Sequence, residues 1–458
     1  MTLCAFGATI LVGHPAAARG SGVRQAQSIE SPDAWVARRV EPAPVISFFR
    51  VSDHNGERQL DIPGFALMSY DMEFSPGGKY LAIPYAARQA GQRDDWRDDV
   101  RLLLIEGWTA GQQPVGHAFF VPSYEWAISP DDKYLAWQRK GMLHIREIRG
   151  RDLYEIGSET DDAQDPGSNG GWDGFLWSPD SRRLLWMHSA RLYVVDIRSG
   201  AVRPLARATD ELNRLSPSGP GGIRYFVPVS WVPSSTVQAY AFTGGSWGTG
   251  GIWVRISSES QEVTRLEGPL PDSSDCSVHP DGRFFWVDDR GLMDWHPGDP
   301  IAQRRVAIND DFYFDSGNDE AAQSTERAVI CGTLHDLAAD AVKPGSQGNS
   351  PFHLKSIFHW KIILLDGEGR AAVVLRHGSY RYRGPVLDGR YGSPPGPVAK
   401  ISADGRFVAW YAPKSEVTII PATSDEDGIL TDEVDDWVSG PITIVNCDRA
   451  LRRAPSNP

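Results

Sequence analysis

The chain has 458 residues with 16 Trp, 14 Tyr and 17 Phe, enough aromatic bulk to fill a large core. Its net charge of −13 repels nucleic acid and anionic lipid, so neither is expected as a partner, although a locally basic patch can still take an anionic ligand. Beyond the N-terminus no apolar run has the length of a membrane span, so none is expected.

Residues 1–18 read as an export leader: an apolar run from Leu3 to Val12 is followed by Ala16-Ala17-Ala18, small residues that suit a signal peptidase, although no basic segment precedes the run. The expected location is therefore the periplasm or the exterior, and the cytoplasm if the run is no leader. Leader removal leaves Cys276, Cys331 and Cys447, an odd number that argues against a disulfide framework. Residues 19–44, rich in Ala, Arg, Pro and Ser, read as a linker, and Val45–Pro63 reads as a hairpin turning at Asn55-Gly56.

From there the chain repeats one unit. It is clearest from Phe175 to Leu205, where apolar runs at Phe175–Trp177, Arg183–His188, Arg191–Ile197 and Ala201–Leu205 are separated by Ser178-Pro179-Asp180-Ser181, by residues 189–190 and by Arg198-Ser199-Gly200. Proline presets a turn φ, Asp and Ser bond the turn backbone, and glycine accepts a positive φ, so the pattern is four antiparallel strands. The same turn recurs at Ser75-Pro76-Gly77-Gly78-Lys79-Tyr80, Ser129-Pro130-Asp131-Asp132-Lys133-Tyr134, His279-Pro280-Asp281-Gly282-Arg283-Phe284 and Ser402-Ala403-Asp404-Gly405-Arg406-Phe407, with a degraded copy at Ser230–Ser235. A four-strand unit repeating every 40–50 residues, roughly, is the signature of a β-propeller. The fold class expected is all-β, a seven-bladed β-propeller over residues 45–447, with eight blades as the alternative because 310–376 is irregular. The Val45–Pro63 hairpin looks like the third and fourth strands of a blade whose first two come from the last unit. It would then close the ring and remove an open edge. Residues 448–458 read as a C-terminal tail.

The Ser-Pro-Asp-Gly-[Lys/Arg]-aromatic turn resembles the propeller repeats of the TolB family (WD40-like, PD40-type), which also occur in prolyl-oligopeptidase propellers and several polysaccharide lyases. The resemblance covers most of residues 65–447. It implies a fold, while propellers of this kind host many functions.

Several stretches invite a chemical reading and are better explained otherwise. Ala86–Val100 and Gly157–Gly174 are long polar insertions. Gly244-Gly245-Ser246-Trp247-Gly248 matches Gly-x-Ser-x-Gly, but a nucleophile elbow needs a helix next, and Ile252–Ile256 reads as a strand. The acidic runs 310–320 and 425–436 lack the spacing and glycine of the twelve-residue calcium loop, and no fixed-spacing metal motif is present, so neither metal nor other cofactor is expected.

Phe352–Tyr391 stands apart. It concentrates His353, His359, Arg376, His377, Tyr380, Arg381, Tyr382, Arg383 and Tyr391 in one blade and what reads as its exposed exit loop, His377–Gly384. Arginine pairs bidentately with carboxylate or sulfate, and tyrosine rings offer stacking faces to sugars, so the patch suits an anionic ligand. Two functions follow. One is an exported binding module that recognises a protein or an anionic glycan through one face of the disc. The other, implied by the resemblance to lyase propellers, is β-elimination on uronic-acid polymers, with His377 or Tyr380 as base and Arg381 or Arg383 neutralising the carboxylate. His353, His359, Arg376, Tyr382 and Tyr391 would complete a binding surface.

Overall fold

The computed structural model describes residues 45–46, 50–54, 57–61, 66–67, 72–86, 100–121, 126–139, 142–150, 153–157, 174–188, 191–215, 225–232, 235–244, 251–271, 276–278, 282–288, 291–307, 321–323, 327–335, 353–366, 372–385, 397–413, 416–421, 432–434 and 438–453. Among them the strands form seven sheets, and the chain is nearly all β as expected. The four-strand unit read from Phe175 to Leu205 is Phe175–Trp177, Arg183–His188, Arg191–Asp196 and Val202–Pro204, antiparallel in that order. Sheets of the same order run from Trp126 to Ile156, from Tyr225 to Arg265 and from Ser277 to Ala307.

The recurring turn has a common construction. The hydroxyls of Ser75, Ser129, Ser178 and Ser402, all buried, accept from the backbone N–H of Tyr80, Tyr134, Arg183 and Phe407 at 2.9, 2.9, 2.9 and 3.0 Å. The last three serines also donate to Asp131, Asp180 and Asp404. The fourth turn residue is left-handed in all five described copies: Gly78, Asp132, Ser181, Gly282 and Gly405 have φ of 78°, 57°, 57°, 92° and 68°. Glycine takes this conformation at no steric cost, so Asp132 and Ser181 need a compensating contact. They have one. Asp132 accepts from Gly77 N and Lys79 N, and Ser181 Oγ accepts from Asp131 N at 2.9 Å, so each turn grips the turn of the sheet before it. Indoles do the same between first strands: Trp177 Nε1 donates to the Ala127 carbonyl at 3.1 Å and Trp231 Nε1 to that of Leu176 at 3.4 Å.

The core lies between sheets. Counting sheets in chain order from the one built on Tyr80–Ala86, Val100–Glu106 and Val115–Phe120, one cluster joins Tyr80, Leu102 and Phe119 of the first sheet to Leu135 and Trp137 of the second. Others join the second to the third, the third to the fourth, and the fourth to the fifth. The first strand of the fifth sheet touches that of the sixth, and Trp360, Ile362 and Leu364 of the sixth pack on Ala399, Val408 and Trp410 of the seventh. A further cluster returns from the seventh to the first, joining Leu60, Tyr411 and Ile442 to Phe74, Leu81 and Leu103.

The N-terminal hairpin is part of that junction. Glu57–Asp61 pairs antiparallel with Val438–Asn446, so the seventh sheet runs Arg50–His54, Glu57–Asp61, Val438–Asn446, Phe407–Pro413, Val398–Ile401. The C-terminal unit supplies three strands and the hairpin a fourth and a fifth, rather than the third and fourth expected from sequence. Val45–Ile46 is not in the hairpin at all, but lies against Val115–Phe120 of the first sheet. Arg58, only 3% exposed, makes a bidentate pair with Asp53 and donates to the carbonyls of Gly107 and Gln112 in the first sheet at 2.8 and 3.0 Å.

Two helices interrupt the β pattern. Ala206–Leu215 buries Ala208 and Leu212, four residues apart, against the third and fourth sheets. Cys447–Arg453 turns the start of the expected tail into a helix that buries Ala450 between the sixth and seventh. Residues 1–44, 87–99, 158–173, 245–250, 308–320, 336–352 and 422–431, with the leader, linker and most of the insertions and acidic runs read from sequence, lie outside the described residues. Ile252–Ser257 is a strand, as the reading against a nucleophile elbow requires.

Candidate functional site

The cationic stretch sits on the sixth sheet, the most irregular of the seven. Its third and fourth strands, His353–Asp366 and Ala372–Pro385, are 14 residues each, about twice the usual length here. His377–Gly384, expected to be an exit loop, is strand throughout. They pair antiparallel from His353 with Pro385 to Leu365 with Ala372, with one bulge at Leu375. The last described pair of the neighbouring strand Arg327–His335 is His335 with Phe358, and beyond it the pair continues, among the described residues, as a two-stranded ribbon. Glu416–Pro421, an insertion from the seventh sheet, then joins the ribbon in parallel at Arg381–Arg383.

Register partners share a face of a sheet, and successive residues alternate. Lys355 is opposite Arg383, Ile357 opposite Arg381, His359 opposite Ser379 and Lys361 opposite His377. One face therefore carries the positions of Lys355, His359, Lys361, His377, Arg381 and Arg383. Of its described side chains, His359, His377 and Ser379 are exposed and Lys361 is half-buried. The other face carries Trp360 and Ile362, buried against the seventh sheet, and in register with them Gly378 and the exposed Arg376. Tyr380 and Tyr382 fall on this second face, opposite Phe358 and Ser356.

The residues picked out in sequence are thus divided. His359, His377, Arg381 and Arg383 come together on one face, with His353 at its far end. Arg376, Tyr380 and Tyr382 go to the other. Tyr391 lies outside the described residues. Two members of the cationic face, Lys355 and Lys361, were missed because the sequence places them 16 or more residues from His377, and only the pairing register brings them alongside. Glu416 was missed for the same reason. It occupies the register position of Arg381 and is the acidic neighbour of an otherwise basic face.

No family model matches the chain, and no curated protein matches it. Solved structures do. Oligogalacturonate lyase from Vibrio parahaemolyticus is 12% identical, over 90% of this chain and 100% of that one, with a TM-score of 0.49. A second oligogalacturonate lyase, in complex with manganese, is 10% identical over 89% and 98%, with a TM-score of 0.47. A TolB-type protein from Agrobacterium tumefaciens is 14% identical over 57% and 83%, with a TM-score of 0.33. At these identities neither substrate nor site residues transfer.

Three further histidines, His117, His144 and His188, are built into the sheets, while His296 is exposed in a turn after Trp295. His188 is buried and stacks on Trp186, and His144 stacks on Trp137 with Glu155 at 3.6 Å. His117 lies 3.9 Å from Glu106, which also pairs with Arg149 across the first and second sheets. Burial, with Arg149 and Lys79 nearby, holds the His117 pKa below its ordinary value. Among the described residues no group of His, Cys, Asp or Glu has the makings of a metal site, and no helix is long and apolar enough to cross a membrane.

Proposed function

We propose that the chain is an exported, TolB-like seven-bladed β-propeller, closed by its N-terminal hairpin, that binds an anionic ligand through the cationic ribbon of its sixth blade. The blade reading is supported by the order of packing, in which each sheet leans on the next and the seventh returns to the first. Export rests on the apolar run from Leu3 to Val12. The observation that carries the binding reading is the register of the ribbon, which gathers Lys355, His359, Lys361, His377, Arg381 and Arg383 on one face of a chain whose net charge is −13. Strands hold such groups at fixed spacing, so a carboxylate or sulfate meets several cations at once without first ordering a loop.

The lyase alternative is less well supported by the same register. Tyr380 takes a register position on the face opposite His377, Arg381 and Arg383, which leaves His377 as the base of that alternative. The remaining same-face set, an exposed imidazole with arginine positions beside it, suits recognition.

Calorimetric titration with oligogalacturonate and with a polyglutamate peptide, at low and high salt, tests the proposal. Binding to at least one, weakened by salt and by Lys361→Glu with His377→Glu, is expected. Binding to neither would overturn it. A rise in ultraviolet absorbance from unsaturated uronate ends would move the protein to the lyases.

A further inference from the structure

We propose that the outer edge of the ribbon at residues 376–380 is a docking rail on which an extended acidic peptide adds as a further strand. The inference rests on the ribbon being a binding surface and specifies its ligand.

An edge strand presents a row of backbone N–H and C=O groups that another strand can pair. Outer strands elsewhere are shorter than the 14 residues here: Leu153–Ile156, Val202–Pro204 and Val263–Arg265 have 4, 3 and 3 residues, Gln303–Ala307 and Arg50–His54 have 5 each, and Val115–Phe120 is paired at Gly116 and His117 by Val45–Ile46. Ala372–Pro385 has 14 residues, and among the described residues only its 381–383 portion is paired on the outer side. Between that portion and the bulge at Leu375, residues 376–380 have no outer-side strand partner among the described residues, with Arg376, His377 and Ser379 exposed, although the helix Cys447–Arg453 also touches this strand. Five residues is an ordinary strand length, enough for a specific pairing.

The occupant follows from charge. No acidic residue lies between Ala372 and Pro385. The segment that already pairs with this edge, Glu416–Thr418, places its glutamate at the register position of Arg381. An incoming strand with an acidic residue facing Arg376 or His377 repeats that arrangement. A second copy of the ribbon would instead bring a strand with the same Arg376 and His377 and no acidic residue to face them, adding positive charge to positive charge. The edge therefore favours an acidic peptide over self-association.

Fluorescence anisotropy of a labelled eight-residue peptide alternating Glu and Val, titrated with the full chain, tests this. Three comparisons accompany it: the same peptide N-methylated at alternate backbone nitrogens, oligogalacturonate as competitor, and Arg376→Glu with His377→Glu, checked by its melting curve. Salt-sensitive binding is expected, weakened about tenfold or more by N-methylation and by the double substitution. An N-methylated peptide that binds as tightly would show that no strand is added and overturn the rail. Binding of oligogalacturonate without the peptide would also overturn it, while leaving the ribbon a binding surface. Binding of neither would remove the ribbon reading and the rail with it.

Discussion

Gly378 lies directly beneath the indole of Trp360. The two are register partners, and a Cβ on Gly378 would fall 2.6 Å from Cζ2 of that ring. The ring is buried between the sixth and seventh sheets, so it has no room to retreat. The glycine lets the ribbon dock on its neighbour while its opposite face stays in water.

Gly378→Ala should therefore cost about 1–3 kcal/mol by overpacking, read as a lowered denaturant midpoint with an unchanged slope. Ser379→Ala, next to it on the exposed face, should stay within about 0.5 kcal/mol of the parent. Equal effects at the two positions would contradict the assignment of faces.

The N-terminal hairpin should be indispensable. Leu60 is buried among Ile442, Phe74 and Leu81, so Leu60→Ala should cost about 2–5 kcal/mol. Deleting residues 45–63 should abolish cooperative unfolding or solubility, because it exposes Val438–Asn446 as an open edge and removes the hydrogen bonds of Arg58 to the carbonyls of Gly107 and Gln112. A deletion variant that melts like the parent would refute closure by the hairpin.

Asp132 should make stability rise on mild acidification. Burial raises its carboxyl pKa above 3.8 despite the hydrogen bonds from Lys79 N and Gly77 N. The folded state then holds a proton that the unfolded chain has released, between 3.8 and the raised folded value. Stability gains as pH falls through that window. Asp132→Asn keeps a side chain that tolerates the left-handed backbone and should lack this gain. A difference between parent and variant that does not grow as pH falls there would contradict it.

His117 should act with the opposite sign. Its folded pKa lies below 6.5, so the unfolded chain takes the proton first. The stability it contributes is full above 6.5 and is lost as pH falls through the folded pKa. His117→Gln should flatten the melting temperature over this range, and a steeper dependence in the variant would count against the buried neutral imidazole.

The turns were legible in sequence because their signal is local. Serine, aspartate and a left-handed fourth residue act within six positions, and the same atoms recur at Ser129, Ser178 and Ser402. The hairpin's pairing with the C-terminal unit was legible for a global reason, since the repeat left an incomplete unit at each terminus. The ribbon was misread. His377-Gly378-Ser379 looks like a loop because glycine and polar residues replace the apolar alternation of a strand. Here Gly378 serves a tryptophan 18 residues away, and the other face meets water. Glu416 beside Arg381 had no local signature either, because parallel pairing between an insertion and another sheet leaves no spacing to read. The helix at Cys447–Arg453 was too short for a periodic pattern to stand out.

Hydrogen–deuterium exchange on the full chain, with and without whichever of oligogalacturonate or the Glu/Val peptide binds, tests the central claim most directly. New protection confined to the two ribbon strands, residues 353–366 and 372–385, is the expected result. Protection that falls on other sheets and leaves the ribbon unchanged would contradict it.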